Sequence, residues 1–216
     1  MTTTDVVDRP SEAVAVAERY RRRERPLSAL IVCLVVSAFL GTYVVTSLVP
    51  ATVVGAALAV VARAPVLRSR GTVRLRTDDP PDAVVDAFAG PTPPVLAFQW
   101  GIADEVRPGT DSVTYETTYL FGRRSVEVTV ESHTERTSTD ARCVELVVTA
   151  ANRPWATYTA TVRERDGGTV VDVEYASTRR FGLRRLPQQW VAERYRERAL
   201  AVQGYVVVDR DAHVGR

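Results

Sequence analysis

The distribution of apolar and polar positions divides this chain into two parts with different periodicity. Residues 27–49 carry no charged side chain, and ~20 apolar residues are enough to cross a hydrocarbon core ~30 Å thick. From residue 71 onward, apolar and polar positions alternate in short runs, which is typical of strands with one buried face. The pattern therefore predicts a transmembrane helix at Leu27–Val49, followed by a β-rich domain.

A second apolar run, Ala51–Leu67, begins directly after Pro50. Pro50 is predicted to end the first helix, because proline lacks the backbone N–H that a helix interior needs. The run contains Arg63, whose long side chain can reach the headgroup region from near a helix end. We expect a second, short transmembrane helix here, with a re-entrant or interfacial segment as the alternative.

Arginines flank both ends of this pair of apolar runs, whereas the turn around Pro50 carries no charge. Arginine-rich flanks favour the cytoplasmic side, so a hairpin with both ends inside satisfies both clusters. We expect a multi-pass protein of the cell membrane whose partner is the lipid bilayer, with both termini and the β-rich domain in the cytoplasm. The two clusters are Arg19, Arg21, Arg22, Arg23 and Arg25, and Arg63, Arg68, Arg70, Arg74 and Arg76.

The alternating part of the chain predicts an α+β fold, in which an antiparallel sheet with one wet face is covered by a long C-terminal helix. A Pro-flanked short helix and a possible strand-like tail, Tyr205–Val208, complete the set. The predicted helices are Pro81–Ala89 and Leu186–Gln203. The predicted strands are Thr72–Thr77, Val95–Glu105, Ser112–Leu120, Ser125–Ser132, Arg142–Ala150, Ala156–Arg163 and Thr169–Ser177.

Composition excludes several classes of function. All 28 basic residues are arginine, and they alternate with 26 acidic residues to give a net charge of +2, so the chain lacks the basic stripe of a nucleic-acid-binding protein. Cys33 and Cys143 lie in different predicted parts, and His133 and His213 have no partners at ligand spacing. We expect no metal site and no cofactor.

A search for catalytic groups also finds little. Asp172 and Glu174 share one face of a predicted strand, as do Glu127 and Glu131, but that face is the wet one. His133 lies near a strand end, where we expect it to be exposed. The chain contains neither a G-x-S-x-G nucleophile turn nor a phosphate-binding glycine loop. We therefore name no catalytic residue.

Two segments resemble parts of the SRPBCC superfamily, which includes START lipid-transfer domains, pathogenesis-related plant proteins and polyketide-cyclase-like proteins. They are TVRLRTDDPPDAVVDAFAG at 72–90, similar to the opening strand and short helix, and LPQQWVAERYRERALAVQGY at 186–205, similar to the closing helix. The resemblance covers about residues 71–210. It implies a helix-grip fold, in which a curved sheet wraps around the long helix and leaves an apolar cavity. The domain division is then 1–26 as a cytoplasmic segment, 27–69 as the hairpin and 70–216 as the SRPBCC-like domain.

Candidate site residues follow from this resemblance and from the alternation. The cavity candidates are aromatic residues at inward positions: Phe98, Trp100, Tyr115, Tyr119, Tyr158, Tyr175, Trp190 and Tyr195. A second set precedes the closing helix, as either a solvated loop or a contact with anionic lipid headgroups: Arg179, Arg180, Phe181, Leu183, Arg184 and Arg185.

Three functions stay open at this point. The first is binding of a hydrophobic or lipid-like small molecule without catalysis. The second is a structural or interaction module with a filled core, acting as an accessory subunit beside a membrane-protein partner. The third is a cyclase- or hydrolase-like enzyme, which would need an ionisable group inside the cavity.

Overall fold

The computed structural model describes residues 7–65, 67–119, 123–136, 141–165, 167–180, 182 and 186–215, with the backbone alone for 24–29, 31, 62–63, 186–190 and 214–215. Two helices come first, and a sheet with three further helices follows. The helices are α1 (Ser11–Val45), α2 (Leu48–Arg63), α3 (Pro81–Ala89), α4 (Ala97–Gly101) and α5 (Leu186–Ala201), and a single 3₁₀ turn covers Pro94–Leu96.

Eight strands form one curved sheet, and every neighbouring pair in it is antiparallel. Their spatial order is β2-β3-β4-β5-β6-β7-β1-β8, so the first strand lies between the seventh and the last. The strands are β1 (Arg68–Thr77), β2 (Glu105–Pro108), β3 (Ser112–Tyr119), β4 (Arg124–Arg136), β5 (Arg142–Ala150), β6 (Arg153–Arg165), β7 (Gly168–Ser177) and β8 (Val206–Gly215).

Alternation along these strands places apolar side chains on one face of the sheet. In β5, Val144, Leu146 and Val148 are buried, while the intervening Glu145 is exposed. The predicted inward set is thereby confirmed for Val113, Tyr115, Val128, Val130, Val144, Leu146, Val148, Val171 and Val173.

The shorter helices and α5 cover this apolar face. Val84, Val85 and Phe88 of α3 and Tyr195 and Leu200 of α5 belong to the same buried cluster as the inward strand residues. The structure therefore confirms the α+β class, with a helix-covered antiparallel sheet.

The segment Val95–Glu105 is not a strand, contrary to the sequence prediction. It forms the 3₁₀ turn and α4, and β2 begins only at Glu105. The reason is visible in the spacing of its buried residues: Ala97, Trp100 and Gly101 are buried at positions i, i+3 and i+4, which is a helical period. Here a turn of helix buries Trp100 better than a strand would.

The C-terminal tail is a full strand, longer than the short tail predicted at Tyr205–Val208. β8 pairs with β1 from Arg68↔Gly215 to Arg76↔Val206, with a register shift between Arg74 and Leu75. Its charged residues, which obscure the alternation, lie on an edge strand of the sheet. Charged side chains are common on such strands because one side of the backbone has no partner.

Helix α1 runs without a break from the β-rich domain into the apolar segment. Its first turns pack onto the domain, where Ala13, Val16 and Ala17 are buried. Gly101 of α4 permits this close approach, because a Cβ added there would lie 2.8 Å from the Cβ of Ala17. The guanidinium of Arg9 also donates to the carbonyl oxygens of Trp100 and Ala103, at 3.2 and 2.8 Å. Residues 11–23 thus pack against the β-rich domain. The predicted domain boundary at residue 70 stays a prediction.

The apolar hairpin turns at Thr46–Ser47, four residues before the break predicted at Pro50. Pro50 lies in the first turn of α2, where the backbone N–H groups have no intrahelical acceptor and proline is tolerated. The backbone N–H of Thr46 donates to the carbonyl of Thr42 at 2.9 Å and closes α1. Gly55 lets α2 lie close to α1, since a Cβ there would lie 3.1 Å from the ring of Phe39.

Large apolar side chains are exposed along the outer half of this hairpin. Val44 and Val45 are 82% and 84% exposed, and others of α1 and α2 are at least one-third exposed: Leu30, Val32, Leu34, Val36, Leu40, Leu48, Val49, Val53, Val54, Leu58, Val60 and Val61. Among the described residues, no helix combines the length and the apolar character that crossing a membrane requires. The transmembrane assignment therefore stays a prediction.

Candidate ligand cavity

An apolar cavity lies between the inner face of the sheet and α5. Strands β1, β6 and β7 supply one wall, the segment from the 3₁₀ turn to α4 supplies a second, and α5 and β8 close the rest. The lining consists of Val73, Leu75, Pro94, Val95, Ala97, Phe98, Tyr158, Val173, Tyr175, Glu193, Arg196, Ala199, Leu200 and Arg210.

The cavity is narrow. It leaves about 50 Å³ of space for the centres of water molecules, and about 640 Å³ of atom-free volume when the part open to solvent is included. Binding sites for small molecules typically have volumes of roughly 300–1,000 Å³. The larger volume falls in that range, whereas the enclosed part has room for only a few waters. The shape suits a slender apolar group that enters from the open side.

Two tyrosines lie side by side in the wall. The rings of Tyr158 and Tyr175 stack with centroids 6.2 Å apart and planes inclined by 28°. Both side chains are half-buried, and within the described residues neither hydroxyl has a hydrogen-bond partner. Burial raises the pKa of Tyr158, because an ionised phenolate would lose its hydration; the positive charge of Arg196 opposes this and the neighbouring Tyr175 adds to it. Burial therefore favours the neutral form of Tyr158, which can donate a hydrogen bond.

Helix α1 packs against the cavity wall that contains Phe98, on the side of Phe98 that faces away from the cavity. Tyr20 stacks on Phe98, with ring centroids 4.8 Å apart, and lies 5.9 Å from the ring of Tyr195. The guanidinium of Arg23 lies 6.0 Å from the centroid of Tyr195. These contacts join the segment before the apolar hairpin to the cavity wall. The domain division predicted from the sequence places this region in a separate cytoplasmic segment, 1–26, although Ala13, Val16, Ala17 and Tyr20 follow a helical period.

The structure brings three of the eight cavity candidates together: Phe98, Tyr158 and Tyr175 all belong to the lining. Trp100 is fully buried in the core, where its indole N–H donates to the carbonyl oxygen of Pro93 at 2.9 Å. The hydroxyl of Tyr115 donates to the carbonyl oxygen of Pro91 at 2.9 Å, and burial raises the pKa of this phenol. Both residues are satisfied core side chains outside the lining.

Two of the remaining three cavity candidates also lie outside the lining. Tyr195 is buried against Tyr20, and Tyr119 is 43% exposed near the end of β3. The side chain of Trp190 lies outside the described residues, although its backbone is in α5.

Of the six membrane-surface candidates, the structure describes two. Arg179 and Arg180 are exposed in the segment between β7 and α5. Phe181, Leu183, Arg184 and Arg185 lie outside the described residues. A contact of this segment with lipid headgroups therefore stays a prediction.

The carboxylates weighed for catalysis lie on the outer face of the sheet, as the alternation predicts. Asp172 accepts a hydrogen bond from Arg74 at 2.7 Å and lies 3.5 Å from Arg163. Glu127 lies 3.5 Å from Arg107, while Glu174, Glu131 and His133 are exposed. Within the described residues, no group of three or more His, Cys, Asp or Glu side chains could hold a metal ion.

Two arginines of the lining were missed by sequence analysis. Arg210 occupies an inward position of β8, opposite Val73 of β1. Arg196 lies on α5, one residue after the buried Tyr195. For Arg196 the sequence did contain a signal: it lies three residues before the inward Ala199, and residues with this spacing lie on the same side of a helix. No comparable signal existed for Arg210, because β8 itself was not predicted at full length.

Comparisons with known proteins give likenesses of fold only. No family model and no curated protein match the chain. Solved structures similar to it include the Mll3558 protein from Rhizobium loti, with 17% identity, 63% of this chain and 98% of that chain covered, and a TM-score of 0.40. The CV1439 protein from Chromobacterium violaceum has 16% identity and a TM-score of 0.39, and the match covers 62% of this chain and 96% of that chain. Ara h 8.0201 has 8% identity and a TM-score of 0.35, and the match covers 62% of this chain and 99% of that chain. At these values the matches assign neither a ligand nor a function to this chain.

Proposed function

We propose that this protein is a membrane-attached domain that binds a hydrophobic or lipid-like small molecule without catalysing a reaction on it. The observation that carries the proposal is the apolar cavity between the sheet and α5, whose wall is backed by the helix that leads into the exposed apolar hairpin. Aliphatic side chains such as Val73, Leu75, Val173 and Leu200 dominate the lining, which favours an apolar ligand.

The order of elements supports placing the domain among SRPBCC-like proteins. A first strand and short helices precede an uninterrupted run of antiparallel strands, β2 to β7, and a long helix follows. β1 pairs with β7 rather than with β2, which brings the first strand next to the end of the antiparallel run. The added β8 extends this sheet on the far side of β1.

The exposed apolar surface of α1 and α2 supports attachment to a membrane. Contiguous apolar patches of more than a few hundred Å² on a protein surface mark contacts with lipid or with other proteins. The two helices meet at an uncharged turn; the arginines at 19–25 precede the apolar part of α1, and Arg63 ends α2 shortly before the arginines of β1. We place the hairpin in the lipid bilayer of the cell membrane, with both termini and the domain in the cytoplasm.

Membrane attachment and orientation are tested on intact cells that express the full chain. With Cys33 and Cys143 changed to serine, a single cysteine in a tag after Arg216 is exposed to a membrane-impermeant maleimide. We expect labelling only after the cells are opened, and retention of the chain in the membrane fraction after an alkaline wash. Labelling of intact cells would overturn the orientation, and release of the chain by the wash would overturn the attachment.

Ligand binding is tested on the full chain purified in a neutral maltoside detergent. Native mass spectrometry and organic extraction then report molecules that co-purify with it. Val73→Phe fills the cavity with a ring, and the matched control Val206→Phe places the same ring at a position that is 65% exposed. We expect a co-purified apolar molecule in the wild type and in the Val206 variant, and its loss in the Val73 variant when far-UV circular dichroism shows that variant to be folded.

A second function, an interaction module with a filled core that serves as an accessory subunit of a membrane complex, is favoured by one observation. Trp100 and Tyr115 are sealed in the core by hydrogen bonds to backbone carbonyls, and the enclosed part of the cavity is small. If the wild type carries no molecule and Val73→Phe destabilises the domain, as a ring forced into a filled core would, this second function replaces the first.

A further inference from the structure

The polar groups of the cavity lining are predominantly hydrogen-bond donors with incomplete pairing. Arg196 and Arg210 contribute two guanidinium groups, while Glu193 contributes the one carboxylate among the lining residues. Tyr158 and Tyr175 add two hydroxyls, which have no hydrogen-bond partner within the described residues. Buried or half-buried tyrosine hydroxyls usually find a partner, so this set is complementary to a ligand that accepts hydrogen bonds.

Arg210 is placed unusually for a charged residue. It lies opposite Val73 on the inner face of the sheet, and its side chain is only 18% exposed. Its charge is balanced by one ion pair, in which the guanidinium Nη1 lies 3.3 Å from a carboxylate oxygen of Glu197. Glu197 is itself 55% exposed, so water competes for this contact. A guanidinium has five N–H donors, and this one therefore retains donors for a ligand.

Arg196 approaches the same space from α5. Within the part of the chain that the structure describes, it forms no ion pair with a carboxylate. It is exposed to solvent, yet it belongs to the cavity lining, and its positive charge opposes the effect of burial on the pKa of Tyr158. An unpaired guanidinium beside an apolar cleft is the side chain best suited to hold a carboxylate or phosphate, because its donors match two oxygens at once.

We propose that the cavity takes a single-chain amphiphile with an anionic head, whose head is bound by Arg196 and Arg210 and whose chain lies between the sheet and α5. This inference rests on the proposed ligand-binding function and names the ligand class. The space for this chain is the atom-free volume of about 640 Å³, which includes the part of the cavity that is open to solvent. The tyrosine hydroxyls donate to the head group from the strand side, and the arginines do so from α5 and β8.

The test compares two ten-carbon probes with different head groups: decanoic acid, which has a charged carboxylate, and 1-decanol, which has a neutral hydroxyl. Each carries a diazirine near the chain end. The full chain in neutral maltoside micelles is irradiated with each probe, and intact mass spectrometry gives the labelled fraction as a function of probe concentration. Peptide mapping then locates the label. We expect the acid to label peptides of β1, β7 or α5 at about tenfold lower concentration than the alcohol, since a hydrogen bond to a charged group contributes about that factor.

Variants assign the preference to the two arginines. Arg196→Gln and Arg210→Gln should each remove most of the acid's advantage over the alcohol. Arg194→Gln is the matched control, because Arg194 is exposed on the same helix and outside the lining. Glu197→Gln frees Arg210 from its ion pair and should leave the acid's labelling unchanged or strengthen it.

The outcomes separate this inference from the function on which it rests. Equal labelling of the cavity by acid and alcohol overturns the anionic head and leaves ligand binding intact. Labelling by neither probe at the cavity peptides overturns both. An acid preference that survives both arginine variants overturns the assignment of the head group to these residues.

Discussion

Tyr20 of α1 stacks on Phe98 of α4 with ring centroids 4.8 Å apart and ring planes only 12° from parallel. Phe98 lines the cavity on its other side. A residue that precedes the apolar hairpin is therefore in direct contact with the wall of the candidate binding site. The following predictions test this contact, its neighbours and the core beneath them.

Tyr20→Ala is expected to destabilise the domain by about 2–4 kcal/mol, because it removes an aromatic pair and leaves a gap against Phe98. Thermal unfolding of the full chain in neutral detergent, followed by circular dichroism, measures the change. Tyr43→Ala, at a position 49% exposed on the hairpin, is the control and should leave the transition of the domain unchanged. Equal transitions for both variants would show that α1 does not contribute to the fold of the domain.

Gly101→Ala is expected to cost about 1–3 kcal/mol, because the new Cβ would lie 2.8 Å from that of Ala17 and push α1 away from α4. Gly41→Ala provides a matched control on α1, since nothing lies within 4 Å of a Cβ at that position. There the same substitution should be neutral, or stabilise the helix by up to about 1 kcal/mol.

The double variant Ala17→Gly, Gly101→Ala tests the cause of this effect. It exchanges the two side chains across the contact, so it should recover most of the stability that Gly101→Ala loses. Chemical unfolding of Ala17→Gly, Gly101→Ala and the double variant gives the coupling between the two positions. Strictly additive effects would mean that α1 and α4 do not touch at these residues.

Tyr115→Phe is expected to lower the free energy of unfolding by about 1–2 kcal/mol. The variant keeps the buried ring and removes the hydroxyl that donates to the carbonyl oxygen of Pro91, which leaves that oxygen without this donor. Tyr119→Phe is the control, because Tyr119 is 43% exposed. An unchanged urea midpoint for the Tyr115 variant would contradict a stabilising role of the hydrogen bond.

Stability should fall at alkaline pH because of buried phenols. Burial raises the pKa of Tyr205 to about 12, with a further contribution from the charge of Asp79, whereas a tyrosine in an unfolded chain titrates near ~10. Between these values the folded state holds more protons than the unfolded state, so the free energy of unfolding decreases as pH rises. The stabilisation is complete below pH ~10 and is lost through pH ~12.

Tyr205→Phe should make this loss shallower than in the wild type, because one titrating group is removed. Urea unfolding at a series of alkaline pH values measures both slopes. Tyr115 and Tyr158, whose pKa values are also raised by burial, should maintain a residual slope in the Tyr205 variant. Identical slopes for wild type and Tyr205→Phe would show that Tyr205 ionises equally in both states.

The strands and the closing helix could be predicted from the sequence because their burial is one-sided. Val144, Leu146 and Val148 alternate with polar residues, and that period of two directly reflects the pleat of the sheet. The short helix Pro81–Ala89 has the predicted bounds, since two prolines mark its start and Gly90 follows its end.

The missed features depend on tertiary contacts that a local pattern does not contain. α4 is only five residues long, too short for a helical period to stand out against a run such as Val95–Trp100. β8 carries Arg210 on its inner face, which breaks the expected alternation. The position of Tyr20 against Phe98 joins residues far apart in the chain, and only folding brings them together.

The candidate site was predicted only in part for the same reason. Phe98, Tyr158 and Tyr175 were chosen as inward aromatic residues, and the structure places them in one lining. Trp100 and Tyr115 satisfied the same criterion, yet nearby proline carbonyls bind their polar atoms and hold them in the solid core. Periodicity identifies which side chains face inward, but it does not distinguish a cavity wall from a packed interior.

The uninterrupted course of α1 has a consequence for how this domain could be transplanted. Ala13, Val16 and Tyr20 belong to the domain by their contacts, while the same helix continues into the exposed apolar segment. A chimaera that joined the sheet and α5 to a foreign anchor would lack a piece of its own interior unless it also inherited residues 11–23. The hairpin therefore cannot be replaced on its own by another membrane anchor, because the first turns of α1 are packed into the domain.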